Sequence, residues 1–148
     1  MTRYFFGVAL AAAALAGCGG GGGAGGYGGP APGGTPAPVS SPLQTASLRG
    51  SPGFINSANH TVYVFDADLG TPNASTCSGA CAQNWPPITV PPGVSFPAPW
   101  TTFTRADGST QLAYKTRALY AFAFDANAGD TNGEGVNAFG GVWHIARP

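Results

Sequence analysis

The chain has 148 residues, with six Lys+Arg against six Asp+Glu, so its net charge is zero and only 8% of its residues are charged. A chain without a basic field has nothing to hold a nucleic-acid backbone, which excludes that class of partner. Apolar residues reach 43% and aromatics 11%, enough for one small folded domain after the low-complexity start is set aside.

Arg3 gives a minimal positive start, and an apolar run follows from Tyr4 to Leu15. A run of that length suits the core of a signal peptide, and it is too short to cross a hydrocarbon layer of roughly 30 Å as a helix. It ends in Leu15-Ala16-Gly17-Cys18, which resembles the lipobox of bacterial lipoproteins. The resemblance implies that residues 1–17 are removed, that Cys18 carries a lipid, and that the membrane is a partner through that anchor. Two or three acyl chains anchor stably where one is marginal. Gly19 stands after the cysteine where an Asp would favour inner-membrane retention, which points to the outer membrane if the envelope has one. The plainer alternative is a secretory signal with a chance cysteine.

Gly19 to Pro42 is rich in Gly, Pro, Ala, Ser and Thr and opens with five glycines in a row. Such a composition buries too little apolar surface to fold. Its glycines favour flexibility and the prolines from Pro30 to Pro42 favour stiffness. Residues 18–42 therefore read as a lipidated cysteine and a disordered tether, and residues 43–148 as the domain.

The domain reads as mainly β, a small antiparallel sheet or sandwich-like unit. Strands are expected at His60–Phe65, Thr101–Thr104, Gln111–Tyr114, Ala118–Phe124 and Val142–Ile145, where β-branched and aromatic residues alternate or cluster between turn signals. In the first, Val62 and Val64 oppose Thr61, Tyr63 and Phe65. Asp107-Gly108 predicts a hairpin. A short helix or turn is expected near Cys77 to Trp85.

One motif occurs twice. Tyr63-Val-Phe65-Asp-Ala-Asp68 recurs as Tyr120-Ala-Phe122-Ala-Phe-Asp125, 57 residues later. Tyr and Phe two apart share a strand face, and the Asp falls at the strand end. Read structurally, the aromatics pack and each Asp caps the next turn. Read functionally, the two Asp residues line one site related by pseudo-symmetry.

With Cys77-Ser-Gly-Ala-Cys81-Ala-Gln-Asn-Trp85-Pro86-Pro87, Arg105-Ala-Asp-Gly108, Gln111-Leu-Ala-Tyr114-Lys115, Leu119-Tyr120, Gly129-Asp130 and Trp143-His144, the doubled motif resembles the family of predicted bacterial lipoproteins, or secreted repeats of unknown function, named for Yx(F/W/Y)xxD. The resemblance covers nearly the whole domain. It implies export and one repeat fold, and it brings no catalytic roles. Ala138-Phe139-Gly140 departs from the family, which runs shorter there.

Cys77 and Cys81 are an even pair in an exported chain and are expected to form a disulfide. An extended i,i+4 pair lies about 13 Å apart, so the segment must coil, which Gly79 permits. A redox pair or a thiolate metal site is the alternative. The spacing is not Cys-x-x-Cys, and no adjacent basic residue lowers a thiol pKa. Asp130-Thr-Asn132-Gly133-Glu134-Gly135 matches the first half of a calcium loop but lacks its position-12 carboxylate. A Gly-rich polar turn is the simpler reading. His60 and His144 are candidate copper or zinc ligands, and two histidines alone do not specify a site. Trp85-Pro86-Pro87 and Trp143-His144 read as core, with an aromatic ligand platform as the alternative.

No nucleophile motif is present. The functional expectation is a lipid-anchored envelope protein, a non-enzymatic binding or structural module with an envelope ligand or protein as partner and no cofactor. The first rival is a metal-binding (calcium, copper or zinc) or redox accessory protein. The second is a small hydrolase, which needs a cleft gathering Asp66, Asp68, Asp125 and Asp130.

Overall fold

The computed structural model describes residues 41–148. The signal peptide, Cys18 and the tether up to residue 40 lie outside the described residues. Eight short strands form three small antiparallel sheets. Strands β1 (Gln44–Leu48) and β2 (Ser51–Ile55) make a hairpin. Strand β3 (Tyr63–Phe65) pairs with β8 (Gly141–Ile145), which also pairs with β7 (Asn137–Ala138). Strands β4 (Trp100–Thr104), β5 (Thr110–Tyr114) and β6 (Arg117–Ala118) form the third sheet. A 3₁₀ turn spans Asp66–Asp68, and the one α-helix among the described residues, α1, spans Ala80–Asn84. No helix among the described residues is long and apolar enough to cross a membrane.

The mainly β class and the short helix at the cysteine pair agree with the sequence reading. So does the hairpin at Asp107-Gly108. There Gly108 takes φ +82°, which an L side chain disfavours, and Asp107 Oδ1 accepts the Ser109 N–H at 2.9 Å. Two strands are shorter than expected. The His60–Phe65 run is a ladder only from Tyr63, with an isolated bridge from Thr61 to Ile55. The Ala118–Phe124 run ends its ladder at Ala118, bridges at Tyr120 and then turns, the Asp125 N–H donating to Phe122 O at 3.2 Å. That turn is what carries the Asp125 side chain into the interior. The hairpin β1–β2 was not among the expected strands.

The domain has two interlocked halves, residues 43–90 and residues 100–148. Tyr63 and Tyr120 exchange both backbone hydrogen bonds, at 2.8 and 3.0 Å, so a local two-fold relation passes between them. Around it the same three-bond ring occurs twice. In one half Phe54 N donates to Ala146 O, Ala146 N to Val62 O and Val62 N to Phe54 O. In the other Leu112 N donates to Ile88 O, Ile88 N to Leu119 O and Leu119 N to Leu112 O. Two members of each ring come from one half and the third from the other. Each half is therefore closed by a segment of its partner half. The two closing segments differ because Pro86 and Pro87 lack N–H donors. The segment at 85–88 makes isolated contacts, whereas β8 makes a ladder.

Strand alternation sorts the interior into two clusters. Tyr63 and Phe65 point to one side with Tyr120, Trp85 and Trp143. Val62 and Val64 point to the other with Leu119, Phe54, Leu112 and Trp100. The central strands are covered on both faces, so burial there is complete for Val62, Tyr63, Leu119 and Tyr120.

Candidate functional site

The two motif copies converge, and they do so crosswise. The Tyr63 hydroxyl donates to Asp125 Oδ2 at 2.6 Å, and the Tyr120 hydroxyl donates to Asp68 Oδ2 at 2.6 Å. Each tyrosine thus meets the aspartate of the other copy. The second oxygen of each carboxylate closes the loop that follows it. Asp68 Oδ1 accepts from the Thr76 N–H at 2.7 Å and the Thr76 hydroxyl at 2.8 Å. Asp125 Oδ1 accepts from the Asn132 N–H at 2.9 Å. Both carboxylates are 3% exposed. A buried carboxylate is tolerated only when its oxygens are met by donors, and here all four are. Burial, followed by the hydrogen bond to Asp125, holds the Tyr63 phenol well above its ordinary pKa; burial and Asp68 do the same for Tyr120. Both hydroxyls stay protonated and donate.

The motif phenylalanines end a column of rings. Phe65 stacks on Trp143 at 4.0 Å, Trp143 on Trp85 at 3.8 Å with planes 3° apart, and Trp85 on Phe122 at 4.1 Å. Tyr63 meets Trp85 edge-on and Tyr120 meets Trp143 edge-on. Trp85 and Trp143 are 1% and 0% exposed, so they are core, and no aromatic platform faces solvent there.

A second paired device lies at the hairpins. Arg49 reaches the other half at Thr131, Nε to Oγ1 at 3.1 Å and Nη2 to the carbonyl at 3.3 Å. Arg105 reaches the loop of the first half, Nη1 to Ser75 Oγ at 2.9 Å and Nη2 to Cys77 O at 2.6 Å, with Gln111 Oε1 also on Nη1. Sequence reasoning passed over Arg49 and quoted Arg105 only within the Arg105-Ala-Asp-Gly108 motif, with no role given to it. Their offset of 56 residues, almost that of the motif, was the available signal. Arg105 also borders a cavity of about 480 Å³ beside the cysteine loop, and both of its terminal nitrogens bond within the protein.

Cys77 and Cys81 form a disulfide with Cα atoms 5.2 Å apart. Gly79 takes φ +55° between them, and α1 begins at the next residue. Both cysteines are buried.

Of the candidate metal ligands, the structure brings Glu134 and His144 together and gives His60, Asp130 and Asn132 other partners. Among the described residues no three His, Cys, Asp or Glu side chains are grouped to hold an ion. Asp130 Oδ2 accepts from Asn127 N, and Asn132 Nδ2 donates to Phe124 O. The backbone of this loop caps Asp125, the Asn132 N–H donating to its Oδ1. Backbone groups of His60 engage Asn56. His144 lies elsewhere, between two carboxylates: Nδ1 is 3.2 Å from Glu134 Oε1 and Nε2 is 3.3 Å from Asp66 Oδ2. Partial burial works against the Glu134 charge, but the Ile145 N–H at 2.6 Å, His144 and Arg49 outweigh it and hold its pKa below the usual carboxylate range. Asp66, Asp68, Asp125 and Asp130 each have different partners, so the structure gathers no four-carboxylate cleft.

The chain matches a family model described as "Secreted repeat of unknown function", over residues 54–89 and 101–147. The two spans fall one in each half. No curated protein and no solved structure matches.

Proposed function

The chain belongs to this family of secreted repeats of unknown function, and from that premise we propose that it is a lipid-anchored, non-enzymatic module of a bacterial envelope, bound to an envelope ligand or protein through its surface. One observation carries the non-enzymatic part. The residues that look most like chemistry, Asp68 and Asp125, are 3% exposed and are held by tyrosine hydroxyls and loop donors. Their work is to lock two halves together. The anchor reading rests on Leu15-Ala16-Gly17-Cys18 and on the glycine- and proline-rich stretch after it, and it fits a domain stapled by a disulfide, a bond of oxidising compartments.

Two measurements test the proposal. Asp68→Asn and Asp125→Asn should each lower the thermal unfolding midpoint. Unchanged midpoints would remove the structural role of the motif. In a bacterial host, Cys18 of the exported protein should carry acyl chains by mass spectrometry, and Cys18→Ser should release the domain from membranes. An unmodified N-terminus, or retention of the variant, would remove the anchor.

A further inference from the structure

Lysine and arginine are scarce here, six in the whole chain, yet three of them, Lys115, Arg117 and Arg147, line one cavity of about 340 Å³ together with His144. The rest of the wall includes the apolar surfaces of Val64, Tyr114 and Ile145. Glu134, the one carboxylate in that wall, already accepts the Ile145 N–H and faces His144. Asp66 is likewise engaged by Arg117 and His144. Both carboxylates are therefore engaged inside the protein, and so is Arg117 Nη2, which donates to Asp66 Oδ1 and Phe65 O at 3.2 Å; the basic groups with the fewest partners are Lys115 and Arg147. Among the described residues the Arg147 side chain makes a single hydrogen bond, Nη1 to Pro52 O at 2.8 Å. Lys115 makes no side-chain hydrogen bond or ion pair among the described residues, and its Nζ rests 5.0 Å from the centre of the Tyr114 ring.

The backbone holds Lys115 there against its own preference. Lys115 and Thr116 form the corner between β5 and β6 with φ of 48° and 67°. Two-residue corners with both φ positive favour Asn-Gly, and side chains such as these resist the left-handed region. Strain of that kind clusters at functional sites.

The geometry points to a binding site for a small organic anion, a carboxylate held by Lys115, Arg147 and Arg117 and carried on a compact apolar body lying against Val64, Tyr114 and Ile145. The volume is at the lower end of the roughly 300–1,000 Å³ of small-molecule sites, which fits a single ring or a short branched chain. An inorganic anion leaves the apolar wall unused. The inference gives a ligand class to the binding role proposed above and rests on that role, not on the anchor at Cys18.

The test titrates the chain carrying Cys18→Ser with benzoate, with benzamide as the neutral analogue, and with inorganic phosphate as an anion lacking an apolar body. Saturable amide shifts at Lys115, Arg117, Ile145 and Arg147 are expected with benzoate and not with benzamide. Lys115→Met and Arg147→Met should each weaken benzoate at least about tenfold, the scale of one hydrogen bond to a charged group, while their remaining spectra match the parent. Absence of saturable shifts, an equal response to benzamide, phosphate binding as tight as benzoate, or undiminished binding in both variants would overturn the site. Such a failure would leave acylation of Cys18 and membrane retention untouched, so the site and the anchor fail separately.

Discussion

Tyr63 and Tyr120 carry the contact between the motif copies, and their chemistry sets measurable limits. Each buried phenol donates to a buried carboxylate at 2.6 Å. Replacing either by Phe leaves one carboxylate oxygen short of a donor, and Tyr63→Phe or Tyr120→Phe should cost about 1.5–3 kcal/mol in denaturant unfolding. Both phenols have raised pKa values in the fold. Their stabilisation is therefore complete below the unfolded-state value, about 10, and is lost as pH rises above it toward the folded-state values. Unfolding midpoints followed against pH should fall above about pH 10, and the fall should be shallower in each Phe variant. Glu134 acts at the other end. Its pKa is lowered in the fold, so its contribution is present above the unfolded value of about 4.3 and disappears as pH drops through the folded one. Glu134→Gln should flatten that acid limb. Gly133 shows how tight the latch is: a Cβ there would lie 2.8 Å from both the Tyr63 ring and Trp85 Cη2. Gly133→Ala should cost about 1–3 kcal/mol by overpacking.

Elements in this domain are too short to stand alone, and their ends are fixed by side chains from elsewhere. Strand β3 has three residues and α1 has five, well below the length at which an isolated helix holds in water. The cysteine loop is secured twice, by the Cys77–Cys81 bond and by Arg105 on Cys77 O. Closing so short a loop contributes about 2 kcal/mol in the chain-entropy account. Reduction, or a Cys77→Ala/Cys81→Ala pair, should lower stability by that order. The sequence made much of this level readable. Alternation marked Val62 and Val64 against Tyr63 and Phe65, Asp107-Gly108 marked its hairpin, and an even cysteine pair marked the disulfide. Strands β1 and β2 went unread because Gln44–Leu48 and Ser51–Ile55 mix Ser, Thr, Gly and Pro with few β-branched apolar residues. The Ala118–Phe124 run read as strand because its aromatics alternate, but Asp125 has to reach Tyr63, and the chain turns at Phe124 to deliver it.

At the scale of the whole molecule, the doubled motif was legible and its cross-pairing was not. Tyr63 and Asp125 are 62 positions apart, and Tyr120 and Asp68 are 52 apart. Spacing within a copy says nothing about which copy its aspartate serves. The stack of Trp85 on Trp143 and the reach of Arg49 and Arg105 into opposite halves were hidden for the same reason. The surroundings of His144 depend on Asp66 and Glu134, which no local pattern links to it. What these contacts build is a pair of repeats in which neither closes its own sheet. Removing a bond on one side should therefore loosen both. The most direct measurement is native-state hydrogen exchange on the parent and on Tyr63→Phe. The interlocked account predicts that amides of Val62 and Ala146 in one ring and of Leu112 and Leu119 in the other open together in the parent, and lose the same free energy of protection in the variant. Loss confined to one ring, with the other keeping its parent protection, would contradict it.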